Sequence, residues 1–221
     1  MRHFAPTAAL LALALAPLAA ADLNVADIRV SAGILSNEFR GKSTTTVTDG
    51  QGGVTTTHSG EDGRDADSHY RGQVQFVGGH LGAGGGFIYG LGLGVNHATW
   101  DNGSQDAHAT SPCVDLLLGY GYAFTPAWHF EITPFAGYGR TYYSVSDDGS
   151  SDTDKNWTTY IEYGAKIGTY VSLGDDLVLG VEIPYLVGRF DPDYDYNDGA
   201  NQVKVSDERR SEGFGVLVTL G

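Results

Sequence analysis

Residues 157–173 alternate between apolar and polar side chains for longer than a water-soluble strand does. Trp157, Thr159, Ile161, Tyr163, Ala165, Ile167, Thr169, Val171 and Leu173 share one parity. Thr158, Tyr160, Glu162, Gly164, Lys166, Gly168, Tyr170 and Ser172 share the other. Successive side chains of a strand point to opposite faces, so one face here is apolar and the other carries a Glu and a Lys. Most strands of globular proteins run about 5–6 residues. A strand crossing a bilayer needs about 9–11, apolar toward lipid and polar toward a lumen.

The N-terminus reads as an export signal. Arg2 and His3 precede an apolar run over residues 8–18, and three alanines at 19–21 supply small residues for cleavage. Residues 1–21 are therefore expected to be a signal peptide and residues 22–221 one outer-membrane β-barrel domain. The apolar run is too short to span as a helix. Asp22, not a cysteine, stands directly after the cleavage site, which leaves lipoprotein anchoring without support. Cys113 is the sole cysteine, so no intrachain disulfide can form, and a closed hydrogen-bonded ladder is the expected source of stability. The formal net charge of −14 argues against nucleic acid as a partner.

The same rhythm recurs. Alternation bounded by turn residues marks strands near 25–38, 68–80, 86–99, 111–123, 128–144, 157–173, 177–189 and 207–220. The connections near 81–85, 125–127 and 174–176 are short. Those near 40–66, 100–110, 145–156 and 190–206 are long, polar and acidic. Short turns at one end and long loops at the other are the pattern of an eight-stranded antiparallel up-and-down transmembrane β-barrel, all-β in class. An even strand number returns both termini to the short-turn side. Aromatic residues stand at both strand ends: Trp128 with Phe124 and Tyr122 by a short turn, Trp157 with Tyr142 and Tyr143 by a long loop. These fit interfacial girdles. Trp100 sits at a loop-side end, but its parity is wrong for the lipid face.

On these strands and loops the chain resembles the eight-stranded outer-membrane barrel superfamily that includes the OmpA barrel, OmpX and the opacity proteins. The resemblance is one of pattern over residues 22–221, with no single close member. It implies outer-membrane localisation with both termini periplasmic, a monomer, and outer-membrane lipid, lipopolysaccharide and the barrel-assembly machinery as partners. The last strand ends in Gly221, where the superfamily's assembly signal ends in an aromatic residue.

By parity, Arg29, Arg71, Asp115, Glu131, Glu162, Lys166 and Glu182 point into the lumen. Lys166 and Glu182 flank one short turn on adjacent strands and are expected to pair. A bore of eight strands is filled by side chains, so a plug of charge pairs is favoured over a gated ion path. A route for small hydrophobic solutes would need a continuous apolar lining, and Leu35, Val77, Phe135 and Leu186 lie inward but scattered among the charges. Asp191, Asp193 and Asp195 place oxygen ligands at alternate positions, a weak Ca²⁺ candidate. Tyr196 and Gln202 stand where an EF-hand needs Gly and Glu, so solvated acidic loops are the simpler reading. The acids at 147, 148, 152 and 154 read the same way. No cofactor is expected. Nor is enzymatic activity, since no Ser–His constellation emerges among the seven histidines. The remaining role is structural or surface-interacting. It would rest on the Thr-, Ser- and Gly-rich loop over residues 41–67, read as mobile and hydrated, as an adhesin-like contact for a host or matrix ligand.

Overall fold

The computed structural model describes residues 23–59, 62–82, 84–101, 105–147, 153–174, 177–191 and 193–221. The expected signal peptide lies outside them, as do Asp148 and Asp152. The elements are β1 (Leu23–Thr48), β2 (Val54–His58), β3 (Asp62–Asp65), β4 (Ser68–Leu81), β5 (Gly86–Asp101) and β6 (Gln105–Thr125). After these come β7 (Trp128–Asp147), β8 (Thr153–Ser172), β9 (Val178–Phe190), β10 (Asp193–Asp198) and β11 (Asn201–Leu220).

Eight of these strands make a closed antiparallel ring in the order β1–β4–β5–β6–β7–β8–β9–β11. The seam is the β1–β11 pairing, where Val30 faces Leu220 while also facing Val74 of β4 on its other side. Closure removes the two free edges of a flat sheet, which in a bilayer would strand a row of unpaired amides and carbonyls. No described helix is long and apolar enough to cross a membrane, and crossing by strands needs none.

Alternation becomes inside and outside. Ile28, Leu91, Leu118, Ile167, Ile183 and Val218 point away from the bore and are 48–64 % exposed, and their apolar neighbours of the same parity are exposed with them. A contiguous apolar wall of this extent is a lipid-facing belt, because no water-soluble monomer leaves so large an apolar surface uncovered. The opposite parity is buried, and Arg29, Glu162, Glu182 and Thr219 show no exposure at all.

Both ends match the expected asymmetry, but the long-loop end is more ordered than alternation implied. The short connections follow β4, β6 and β8. Gly174, at φ 83°, turns the β8–β9 hairpin in a conformation that side chains resist. At the other rim the strands outrun the belt. β1 and β11 stay in register from Glu38 with Glu212 to Thr48 with Gln202, a ribbon of about 33 Å at about 3.3 Å per residue. β2 pairs with the tip of β1, β3 with its base, and β10 with β11. Residues 41–67, expected as a mobile loop, are thus largely ladder. The physical reason lies in the residue types. Apolar alternation stops where lipid stops, while Thr and Val carry the pairing on into water, where a polar face costs nothing. Asp49 closes the β1–β2 turn, its Oδ1 accepting from the amides of Gln51 at 2.9 Å and Gly53 at 2.6 Å.

The aromatic girdles form with one correction. Phe124 stacks on Trp128 at 4.5 Å between centroids, and Tyr142 lies 5.3 Å from Trp157. Tyr143, expected beside Trp157, points inward instead and is 6 % exposed, because adjacent residues of a strand cannot share a face. It meets Trp100, which stacks on Phe39 at 4.9 Å, and the three rings line the loop-side mouth of the bore.

Candidate functional site

The bore is the site, and its chemistry follows from which strands face each other across eight positions. β1 lies diametrically opposite β7, and β4 opposite β8. Long side chains of opposite charge on such strands meet in the middle. Arg29 of β1 crosses to Glu131 of β7 with Nη1 donating to Oε2 at 2.9 Å and Nη2 to Oε1 at 2.8 Å. This two-pronged geometry is the strongest that a guanidinium makes with a carboxylate. Arg29 also donates to Asp27 and lies 4.0 Å from the centroid of the Tyr170 ring. His129 Nε2 approaches Glu131 Oε1 at 3.0 Å, and its ring stacks on Tyr170.

Above this lies a second crossing. Lys166 Nζ of β8 donates to Gln75 Oε1 of β4 at 2.6 Å and pairs with Glu182 Oε2 of β9 at 3.0 Å. Gln73 and Tyr170 each donate to Glu182, so its two oxygens are both engaged. The expected Lys166–Glu182 contact is present in the structure. It is diagonal, since the direct register partner of Lys166 is Pro184.

The third crossing is built on Arg71 of β4. Its Nη1 donates to Glu162 Oε2 of β8 at 3.0 Å and to Asn96 of β5 at 2.9 Å, and its Nε donates to Gln73. Its Nη2 lies 2.7 Å from Asp115 Oδ2 of β6 and 2.7 Å from Glu162 Oε1. Asn96 and the Tyr160 hydroxyl donate to Glu162 Oε2.

All seven charged residues expected in the lumen are buried there and take part in these three crossings. Charge alone did not single out Gln73, Gln75, Asn96, His129, Tyr160 and Tyr170. Their parity carries the signal, since each stands on the inward row of its strand. The inward apolar residues are likewise gathered rather than scattered. Leu35, Leu117, Phe135 and Leu186 form one cluster beside the Arg71 crossing. Val77 joins Val25, Leu81, Ile88 and Ala123 at the short-turn end. Strand stagger, which parity does not encode, brings them to common levels.

Among the described residues, the recorded cavities inside the bore are small. The cavity bounded by Arg71, Gln75, Asp115, Phe135 and Lys166 measures about 10 Å³, and a second below the Phe39–Trp100 rings measures about 10 Å³. Each holds about one water molecule.

Asp191 follows β9, while Asp193 and Asp195 lie on β10 in register with Ser206 and Lys204. Partial burial and the carboxylates of Glu208 and Asp193 raise Asp191 above the ordinary carboxylate range. Among the described residues, one group of metal-capable side chains is close enough to share an ion: Cys113, Asp115 and Glu162, within 4.8 Å of one another. The Arg71 guanidinium already stands against both carboxylates, so a metal dication would have to displace a like charge.

No family model and no curated protein matches the chain. Solved structures of similar outline include Ail, the attachment invasion locus protein of Yersinia pestis, at 12 % identity and TM-score 0.29, covering 83 % of this chain and 98 % of that one. Neisserial surface protein A matches at 14 % identity and TM-score 0.32, covering 86 % and 96 %. The outer membrane protease OmpT from Escherichia coli matches at 7 % identity and TM-score 0.24, covering 88 % and 99 %. Overlaps this loose carry no argument about activity. The barrel rests on its own closed ladder.

Proposed function

From an eight-stranded β-barrel of the outer-membrane type as premise, we propose an integral outer-membrane protein whose plugged barrel is an anchor and whose ribbon is a surface-interacting, adhesin-like tip. Its belt sits among outer-membrane lipid and lipopolysaccharide after insertion by the barrel-assembly machinery. The described ends, Leu23 and Gly221, stand at the short-turn rim, which faces the periplasm in this reading. One observation carries the proposal. The bore is crossed three times by side chains, whereas the β1–β11 ladder continues well past the apolar belt and acquires β2 and β10 as flanking strands. A chain selected for transport would open the bore. One selected for contact would build outward.

Two measurements test this. Deleting residues 44–62 removes the tip of β1 with β2 and leaves the belt pairings of β1 intact, so the barrel should still insert while binding of cells to host or matrix surfaces is lost. Unchanged binding would reject the adhesin-like role. In planar bilayers the full chain should show no stable openings, and large sustained conductance steps would replace the anchor with a pore.

A further inference from the structure

The Arg71 crossing does not balance its charges, and the imbalance identifies a ligand. Asp115 and Glu162 stand on β6 and β8, with β7 between them. Their common register partner is Gly137, so the two Cα atoms are about 10 Å apart at a strand spacing of about 4.8 Å. Two carboxylates at that distance normally have a side chain separating them. Here nothing separates them. A Cβ on residue 137 would fall 2.1 Å from Asp115 Oδ1 and 2.8 Å from Glu162 Cγ. Both side chains close over the glycine and reach the same nitrogen, Arg71 Nη2.

One guanidinium therefore serves two carboxylates at side-chain exposures of 1 % and 0 %. The other groups facing them do not supply a second positive charge. Asn96 comes from β5, Cys113 from β6, and Phe135 from β7. Tyr160 on β8 donates its hydroxyl to Glu162 Oε2, and Lys166, further along β8, is paired with Glu182 of β9. On β4, His69 is buried, with neither ring nitrogen hydrogen-bonded.

The hydrogen-bond count has the same gap. Asp115 Oδ1 has no partner, and Glu162 Oε1, though near Nη2, accepts no hydrogen bond from it. Two buried carboxylate oxygens without donors are costly in a closed bore, because each has lost its water and gained nothing in exchange. A single bound proton removes both deficits at once and makes the cluster neutral.

We propose that Asp115 and Glu162 form a proton-binding site in the bore, one proton being held between Asp115 Oδ1 and Glu162 Oε1 across Gly137. The proton comes from solvent as the barrel closes. One carboxyl is then a neutral acid that donates from its O–H, and the other is the carboxylate that accepts and carries the charge facing Arg71. No other bond forms or breaks. Like charges forced together in this way do not both ionise.

Infrared spectroscopy of the refolded barrel in detergent at neutral pH tests this without reference to any surface ligand. The wild type should show the C=O stretch of a protonated carboxyl, which shifts in D₂O. Asp115→Asn and Glu162→Gln should each abolish it. Gly137→Ala keeps both acids but wedges them apart, and should abolish it too. Glu38→Gln, on the ribbon, should leave it. Circular dichroism identifies any variant that does not fold, and the remaining variants still decide the outcome. Absence of the band in the wild type overturns the proposal, as does its survival in a folded Asp115→Asn barrel. If the band is absent and the unfolding rate depends on sodium or calcium at fixed ionic strength, the pair holds a metal cation, and the proton assignment is wrong.

Discussion

Replacing Arg29 by Met should be among the most damaging single changes in the barrel. Arg29 is fully buried and ties β1 to the opposite wall through both Glu131 oxygens. Without it, among the described residues Glu131 keeps His129 as its hydrogen-bond partner, and Asp27 loses its ion pair. Removing one member of a buried pair costs about 3–5 kcal/mol, because the other charge is left desolvated. At about 1.4 kcal/mol per factor of ten, that is a loss of roughly two to four decades in the folding equilibrium. Methionine fills much of the arginine stem's volume, so little of the loss would be cavity. The double variant Arg29→Met with Glu131→Met removes both charges and should regain most of the stability, since apolar replacement of a whole buried pair is often near neutral. Urea titration of the refolded proteins in detergent, followed by tryptophan fluorescence, measures the wild type, the single variant and the double variant on one scale. The reasoning fails if Arg29→Met costs under about 1 kcal/mol, the size of an exposed pair, or if the double variant is less stable than the single one.

Other expectations follow from single positions. Brominated lipids should quench Trp128 and Trp157, which face outward at 41 % and 53 % exposure, and should leave the inward Trp100 bright. Single-tryptophan variants read this directly, and equal quenching of all three would invert the assigned faces. Gly33→Ala places a methyl group 1.9 Å from the Val216 carbonyl oxygen at the β1–β11 seam, and refolding yield should fall sharply where the same change at exposed Gly72 leaves it intact. Asp191 is held above its unfolded-state range, so its contribution is present below that range and is lost as pH rises through its folded value. Asp191→Asn should flatten this weak pH dependence, measured as the unfolding rate of the ribbon end by hydrogen exchange.

The belt strands were legible because lipid imposes a strict period of two. Residues 87–95 and 161–167 repeat apolar side chains on one parity with no interruption, and the structure places them on β5 and β8. Beyond the belt that constraint disappears. Thr44, Thr46 and Thr48 carry no apolar signal, although their backbone pairs with Ser206, Lys204 and Gln202 as regularly as Val30 pairs with Leu220. Ladder hydrogen bonds are made by backbone atoms, and a polar ribbon in water has no composition of its own to distinguish it from a loop. The lumen charges were legible by parity as well. Their partners were not. Lys166 was near enough to Glu182 in sequence to be paired with it, whereas no spacing relates Arg29 to Glu131, 102 residues away.

By itself, the sequence determined the eight strands of the ring, the lipid and lumen faces, and the residues that must be satisfied inside, because each depends on side-chain period and local turn chemistry. The tertiary structure decided which of those residues meet. Ring closure places β1 opposite β7 and β4 opposite β8, and stagger sets the levels at which Arg29, Lys166 and Arg71 cross. The absence of a side chain at Gly137 then brings Asp115 and Glu162 together from strands that are not neighbours. Such meetings depend on distances through the bore, which a linear pattern of alternating faces does not contain.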